Sequence, residues 1–237
     1  TGRCVVVYST GASSNEVAYR IWNGSSWVVG ETTIDLGTTG VAYWVRLEPR
    51  PGTDIMMLST LDSNSDIYGL RWTGSVWQDG KTLTTTAAVN NKQCYDISWE
   101  YTTGNCMVLW GTGTTTNYDY WNGSAWLGSA GTGPNIVATA NWIKLSSDTQ
   151  TSSNNIGMSS IDGLSDWNVS IWNGSVWGAL PTENAGMEAT AMSRCSDIAW
   201  EKDSGKCVAV GGPLASTKFR YITWTLAGVW ALTPSGT

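Results

Sequence analysis

The sequence predicts an all-β fold, a five-bladed β-propeller of four-stranded antiparallel blades, and three observations carry that prediction. A short stretch, Ile21 to Trp27 (I-W-N-G-S-S-W), returns as Arg71 to Trp77, Tyr120 to Trp126, Ile171 to Trp177 and, in degenerate form, Thr223 to Trp230. The closing tryptophans stand at 27, 77, 126, 177 and 230, and a fixed spacing in this range marks a repeat architecture. Asn-Gly or Thr-Gly recurs between residues of high strand propensity, the short-range signal for a β-hairpin. Between the hairpins, apolar residues alternate with a period of two, as in half-buried strands.

Each unit then divides into four strands. The inner strand places Val45 and Leu47, Ile97 and Trp99, Ile143 and Leu145, or Ile198 and Trp200 on one face. A tight turn follows at Pro51-Gly52, Thr103-Gly104-Asn105 and Ser204-Gly205-Lys206, and a polar loop, Asp148 to Asn154, replaces it in one unit. The second strand is short and continuously apolar: Cys4 to Tyr8, Ile55 to Leu58, Cys106 to Trp110, Ile156 to Met158 and Cys207 to Val210. Such runs suit strands buried on both faces. The third strand covers Val17 to Trp22, Ile67 to Trp72, Tyr118 to Trp121, Val169 to Trp172 and Phe219 to Trp224, and the hairpin leads into a brief fourth strand at the second tryptophan. Polar, Thr-rich loops such as Thr82 to Asn91 close the units. The repeats run about 4–54, 55–105, 106–154, 155–206 and 207–237 within a single domain, 1–237.

The inner strand occurs four times and the others five. Thr1-Gly2-Arg3-Cys4 matches Thr103-Gly104-Asn105-Cys106, so the first blade lacks its inner strand within this stretch. A blade so cut leaves backbone donors and acceptors unpaired. Its completion is expected from upstream residues or from a neighbouring molecule, because the seven residues after Trp230 are too few to reach back.

Composition excludes several functions. Apolar residues make up 41% of the 237 positions and charged residues 14%, enough for a core beneath a weakly charged surface. The net charge is -6 without a basic run, so nucleic acid is not an expected partner. Histidine is absent, which removes the usual neutral-pH base and the commonest metal ligand; no cofactor or metal is expected. No apolar run reaches the roughly 20 residues of a membrane helix, so no membrane insertion is expected. Richness in Ser, Thr, Asn and Gly with few Lys fits an extracellular or cell-surface location. Cys94 and Cys106 would lie about 20 Å apart along a hairpin arm, at roughly 3.3 Å per residue, so the cysteines are read as buried thiols.

Residues 4 to 30, ending I-W-N-G-S-S-W-V-V-G, resemble a blade of the fungal and bacterial fucose-binding lectins, β-propellers with a strand ending in C-W-D-G-x-G-W. The similarity runs through all five repeats as a pattern of Trp, Gly and strand spacing. It implies a propeller whose tryptophans lie between adjacent blades, where that family seats a sugar with an Arg from the second strand and a Glu from the third. Here the Arg position reads Val6, Met56, Val108, Ile156 and Ala209, and the Glu position reads Tyr19, Gly69, Tyr118, Val169 and Tyr221.

The candidate ligand-binding residues are therefore Trp27, Trp77, Trp126, Trp177 and Trp230, with Trp22, Trp72, Trp121, Trp172 and Trp224 as their structural partners. Large aromatics commonly pack neighbouring elements, and they also anchor sugars and partner proteins. Other motifs read as local structure. Asn23, Asn122 and Asn173 open Asn-x-Ser sequons inside the hairpin turn, Asn168 opens a fourth, and Asp62 to Asp66 reads as a solvated turn. Asp96 and Asp197, and Glu48, Glu100 and Glu201, recur on inner strands and read as supports of the blade. The expected function is a non-enzymatic recognition or adhesion module that binds glycan or protein through Trp-lined blade edges. The alternative is a structural subunit of an extracellular filament or surface array, a homo-oligomer in which a neighbour donates the missing strand.

Overall fold

The structure, a computed structural model, describes residues 2–11, 15–128, 130–179, 186–187, 194–214, 219–225 and 229–233. These form strands and no helix, arranged as five antiparallel sheets in which sequence neighbours pair. The first sheet holds β1 (Cys4–Ser9), β2 (Glu16–Trp22) and β3 (Trp27–Asp35). The second holds β4 (Ala42–Pro49), β5 (Met56–Asp62), β6 (Ile67–Trp72) and β7 (Trp77–Thr84). The third holds β8 (Tyr95–Trp99), β9 (Cys106–Gly111), β10 (Thr115–Trp121) and β11 (Gly131–Asn135). The fourth holds β12 (Ala140–Ser147), β13 (Ile156–Asp162) and β14 (Trp167–Trp172), and the fifth β15 (Ser196–Trp200), β16 (Cys207–Gly211), β17 (Arg220–Thr225) and β18 (Val229–Thr233). Consecutive sheets pack on one another, chiefly through their first two strands.

The repeated turn is set by side-chain chemistry. Trp22 pairs with Trp27, closing a four-residue loop in which the Asn23 carboxamide oxygen accepts the backbone N–H groups of Ser25 and Ser26, each at 2.9 Å. Asn122 and Asn173 cap their turns in the same way. Gly24 supplies the left-handed backbone at φ 104°. The Asn-Gly pair thus divides the labour: asparagine bonds the backbone and glycine bends it.

Several strand boundaries differ from the sequence expectation. The second strands are longer, because β5 and β13 continue to Asp62 and Asp162. The fourth strand is not uniformly brief: β3 and β7 extend to Asp35 and Thr84, so the start of the Thr82 to Asn91 segment is strand. In the third sheet Trp126 makes only a bridge to Trp121, and β11 begins at Gly131; in the fourth, Trp177 makes only a bridge to Trp172 among the described residues. The Asp62 turn is solvated at Asn64, but its first acid is not. Asp62 is buried, and its carboxylate accepts N–H groups from Gly40, Asn64 and Asp66, which lock the turn.

The core follows the second strands. All of β9 and β13 is buried, as continuous apolar runs require, whereas β1 stands at an edge with Cys4 and Val6 exposed. The described cysteines form no disulfide; Cys94, Cys106 and Cys207 are buried, and burial pushes the Cys94 thiol up to about 11. Cys4, on the edge strand β1, departs from the expected burial and is exposed.

Polar bonds tie the inner strands of successive sheets. Asp96 on β8, fully buried, accepts Arg46 Nε of β4 at 2.6 Å, Lys144 Nζ of β12 at 3.0 Å and the Leu145 backbone N–H at 2.8 Å. Trp99 Nε1 donates to the Glu48 carbonyl at 3.0 Å, and Trp200 Nε1 to the Ser146 carbonyl at 2.8 Å, so two inner-strand tryptophans reach the preceding sheet. Glu100 accepts Trp172 Nε1 at 2.7 Å and the Tyr120 hydroxyl at 3.2 Å. Burial of the phenol, reinforced by that acid, holds Tyr120 far above its ordinary range. Asp96 and Glu100 are thereby accounted for as bonds between sheets.

Candidate functional site: the junctions between sheets

The two tryptophans of each repeat lie on one face of their sheet, and in four sheets that face meets the sheet before. The partner is the third-strand residue three positions before the first tryptophan. Tyr19 of β2 stands 6.0 Å from Trp72 and 5.7 Å, edge-on, from Trp77. Gly69 of β6 backs onto Trp126 so closely that a Cβ there would overlap the indole. Tyr118 of β10 lies 5.4 Å from Trp172, and Val169 of β14 shares a core cluster with Trp224 and Trp230. This pattern explains why the pair repeats: in those four sheets the indole pair is wedged against a neighbouring sheet, where aromatic area is most effective.

The junctions differ in what fills them. Between the second and third sheets Arg71 stacks over Trp121, 4.7 Å from the ring, and is paired with Asp79; Trp126 Nε1 donates to the Asp79 carbonyl at 2.8 Å. Lys81 adds a bond to Asp119 at 2.7 Å. The protein's own side chains occupy that junction. Between the third and fourth sheets a cavity of about 460 Å³ remains, lined by Tyr118, Thr132, Asn135, Trp172, Ser175 and Trp177. Trp177 Nε1 is itself buried, without a hydrogen-bond partner. The cavity therefore joins aromatic faces to a carboxamide and hydroxyls.

Burial separates the ten tryptophans singled out from the sequence. Trp72, Trp121 and Trp172 are buried, while Trp22, Trp224, Trp77, Trp126, Trp177 and Trp230 are half-buried. Trp27 is 45% exposed, with the Arg20 guanidinium 4.9 Å over its ring. Sequence reasoning missed Arg20, Arg71, Asp79, Thr132 and Asn135, which occur once each and follow no repeat.

Strand register corrects one alignment. Met56 and Ile156 pair with Trp72 and Trp172, as Cys4, Cys106 and Cys207 pair with their first tryptophans. The residues equivalent to Val6, Val108 and Ala209 are thus Leu58 and Met158, not Met56 and Ile156. All five remain apolar, and the family's Arg has no counterpart at this position.

No protein family model and no curated protein matches the sequence. Solved structures do match. The SapL1 lectin, in complex with alpha methyl fucoside, is 16% identical over 99% of this chain and 76% of its own, with a TM-score of 0.60. AofleA from Arthrobotrys oligospora is 14% identical over 100% and 69%, at 0.57. The Aleuria aurantia lectin, a six-bladed β-propeller with a novel fucose recognition mode, is 13% identical over 98% and 77%, at 0.59. At these identities the likeness is one of architecture: the chain has a fold resembling that of the fucose-lectin β-propellers.

Proposed function

We propose that the chain is a non-enzymatic extracellular recognition module that binds glycan at the junction between its third and fourth sheets. The observation that carries this reading is the cavity in which Trp172, Trp177 and Tyr118 face Thr132, Asn135 and Ser175. A sugar offers an apolar C–H face to an indole and hydroxyls to a few fixed polar groups, and this lining matches both demands. The relatives in fold add support, since two are described with a fucoside or with fucose recognition. The Arg and Glu positions of that family are apolar, aromatic or glycine here, so selectivity rests on Asn135 and the hydroxyls of Thr132 and Ser175. The ligand is a neutral saccharide, methyl fucoside being the first probe.

The five sheets are read as five blades, the first completed along β1 from outside residues 1–237. The place of β1 at the edge of its sheet among the described residues supports this and favours, as a second reading, a subunit of an extracellular array that accepts a strand from its neighbour.

A glycan array probed with labelled chain, followed by titration of the hits, tests the first reading. Trp177→Ala is expected to weaken binding at least tenfold, about 1.4 kcal/mol. Trp126→Ala, in the junction closed by Arg71, is expected to leave affinity within about threefold, or roughly 0.7 kcal/mol. Absence of any hit, or hits indifferent to Trp177, would contradict the reading.

A further inference from the structure

Three hairpin tips carry the same four residues, Trp-Asn-Gly-Ser, at 22–25, 121–124 and 172–175. An asparagine followed by glycine is open to attack on its side-chain carbonyl carbon by the glycine backbone nitrogen, because glycine has no side chain to block the approach. All three asparagines are exposed, so water reaches each of them. Among the described residues no acceptor takes the backbone N–H of Gly24, Gly123 or Gly174, which leaves the attacking nitrogen free at every tip.

The turn also arranges the carbonyl. Asn23 Oδ1 accepts three donors at 2.9 Å, the Ser25 N–H, the Ser25 hydroxyl and the Ser26 N–H. Asn122 Oδ1 takes the matching three from Ser124 and Ala125, at 3.1, 3.0 and 3.0 Å. Among the described residues Asn173 Oδ1 takes only the N–H groups of Ser175 and Val176. These donors point at the oxygen on which negative charge collects when its carbon is attacked, and donors fixed there beforehand lower the barrier. Space differs as well. A Cβ placed on Gly123 would meet nothing within 4 Å, whereas one on Gly174 would lie 3.0 Å from the Asn154 Cβ.

We propose that Asn23, Asn122 and Asn173 are sites of self-modification, each converting to aspartate or isoaspartate through attack by the nitrogen of the following glycine. At Asn122 the Gly123 nitrogen gives up its proton and bonds to Cγ, the Cγ–Nδ2 bond breaks, and ammonia leaves with that proton, closing a cyclic imide. Water then opens the ring at either carbonyl. One opening gives aspartate; the other gives isoaspartate, with the main chain rerouted through Cγ. Each event adds a negative charge to a chain of net charge -6. Aspartate keeps the cap, since a charged acceptor strengthens the same hydrogen bonds. Isoaspartate lengthens the loop between Trp121 and Trp126 and so breaks their bridge. The reaction needs no ligand and is independent of glycan binding.

Because the three tips share one local sequence, a difference in rate between them comes from the fold. Incubation of the 237-residue chain in heavy-oxygen water at mildly alkaline pH, followed by peptide mapping in a mass spectrometer, measures it. Asn23 and Asn122 are expected to react about threefold or more faster than Asn173, the scale of one exposed hydrogen bond. Ser124→Ala is expected to slow Asn122 by about the same factor and to leave Asn23 unchanged. In urea, which removes the arrangement, the three rates are expected to converge. Circular dichroism verifies folding, and should Ser124→Ala fail to fold, Ser25→Ala tests Asn23 with Asn122 as the reference. Equal rates at the three tips of the folded chain, an Asn122 rate indifferent to Ser124, or tips that stay intact while the unfolded chain reacts would each overturn the proposal.

Discussion

Asp96→Ala is expected to lower the free energy of unfolding by about 3 to 5 kcal/mol, the cost of stranding buried charges without their partner. The carboxylate is fully buried and holds three donors from two other sheets, Arg46, Lys144 and the Leu145 N–H. Its removal leaves a guanidinium and an ammonium, 26% and 18% exposed, facing each other across a void. Asp197→Ala, at the equivalent place in the last sheet, removes a carboxylate 48% exposed and paired within its own strand region, and is expected to cost no more than about 1 kcal/mol. Urea unfolding of the two variants checks the contrast. Equal losses would show that Asp96 does not bridge the sheets.

The second large effect concerns the tryptophans. Trp99→Ala is expected to cost about 3 to 5 kcal/mol, combining lost transfer energy with a cavity that its neighbours cannot fill. Trp99 is 1% exposed, edge-on to Trp121 at 6.3 Å, and donates to the Glu48 carbonyl. Trp27→Ala, by contrast, removes an indole 45% exposed and is expected to cost under about 1.5 kcal/mol in the isolated chain, on the scale of a partly buried side chain. Denaturation midpoints at low protein concentration separate the two. A large loss for Trp27 under those conditions would mean that its face is covered within one molecule.

Much of this arrangement was legible in the sequence because it is local. The hairpin between Trp22 and Trp27 needs only residues 22 to 27, and its asparagine cap and glycine bend are present wherever the motif is intact. The outermost strand of the third sheet was not legible. Gly131-Thr-Gly-Pro-Asn135 has neither alternation nor strand propensity, and it pairs because glycines at 131 and 133 admit the side chains of Tyr118 and Thr116, where any Cβ would overlap them. The burial of Asp62 within its turn is hidden from the sequence for a similar reason. What buries it is the approach of Gly40 and Val41 from the start of the second sheet, more than twenty residues upstream.

The candidate site divides in the same way. The tryptophan pairs could be found from their period, and their packing against the preceding sheet follows once the sheets are stacked. Which junction stays open could not be found, because it is decided by single side chains outside the repeat: Arg71 and Asp79 fill one, while Thr132 and Asn135 border another. The alignment of the second strands slipped by two residues at Met56 and Ile156 because their turns differ from the Cys-headed repeats, and only pairing with the first tryptophan fixes the register.

Each of the 16 indole N–H groups gives its own signal in a nitrogen-edited proton NMR spectrum, which makes a saccharide titration the most direct measurement of where this protein binds. With methyl fucoside, or the best ligand from an array, the Trp177 resonance is expected to shift with saturation as the sugar stacks against its ring. Trp126 and Trp99, already bonded to the carbonyls of Asp79 and Glu48, are expected to stay in place. A spectrum in which no indole moves with any saccharide, or in which Trp99 moves and Trp177 does not, would contradict the assignment of recognition to the junction between the third and fourth sheets.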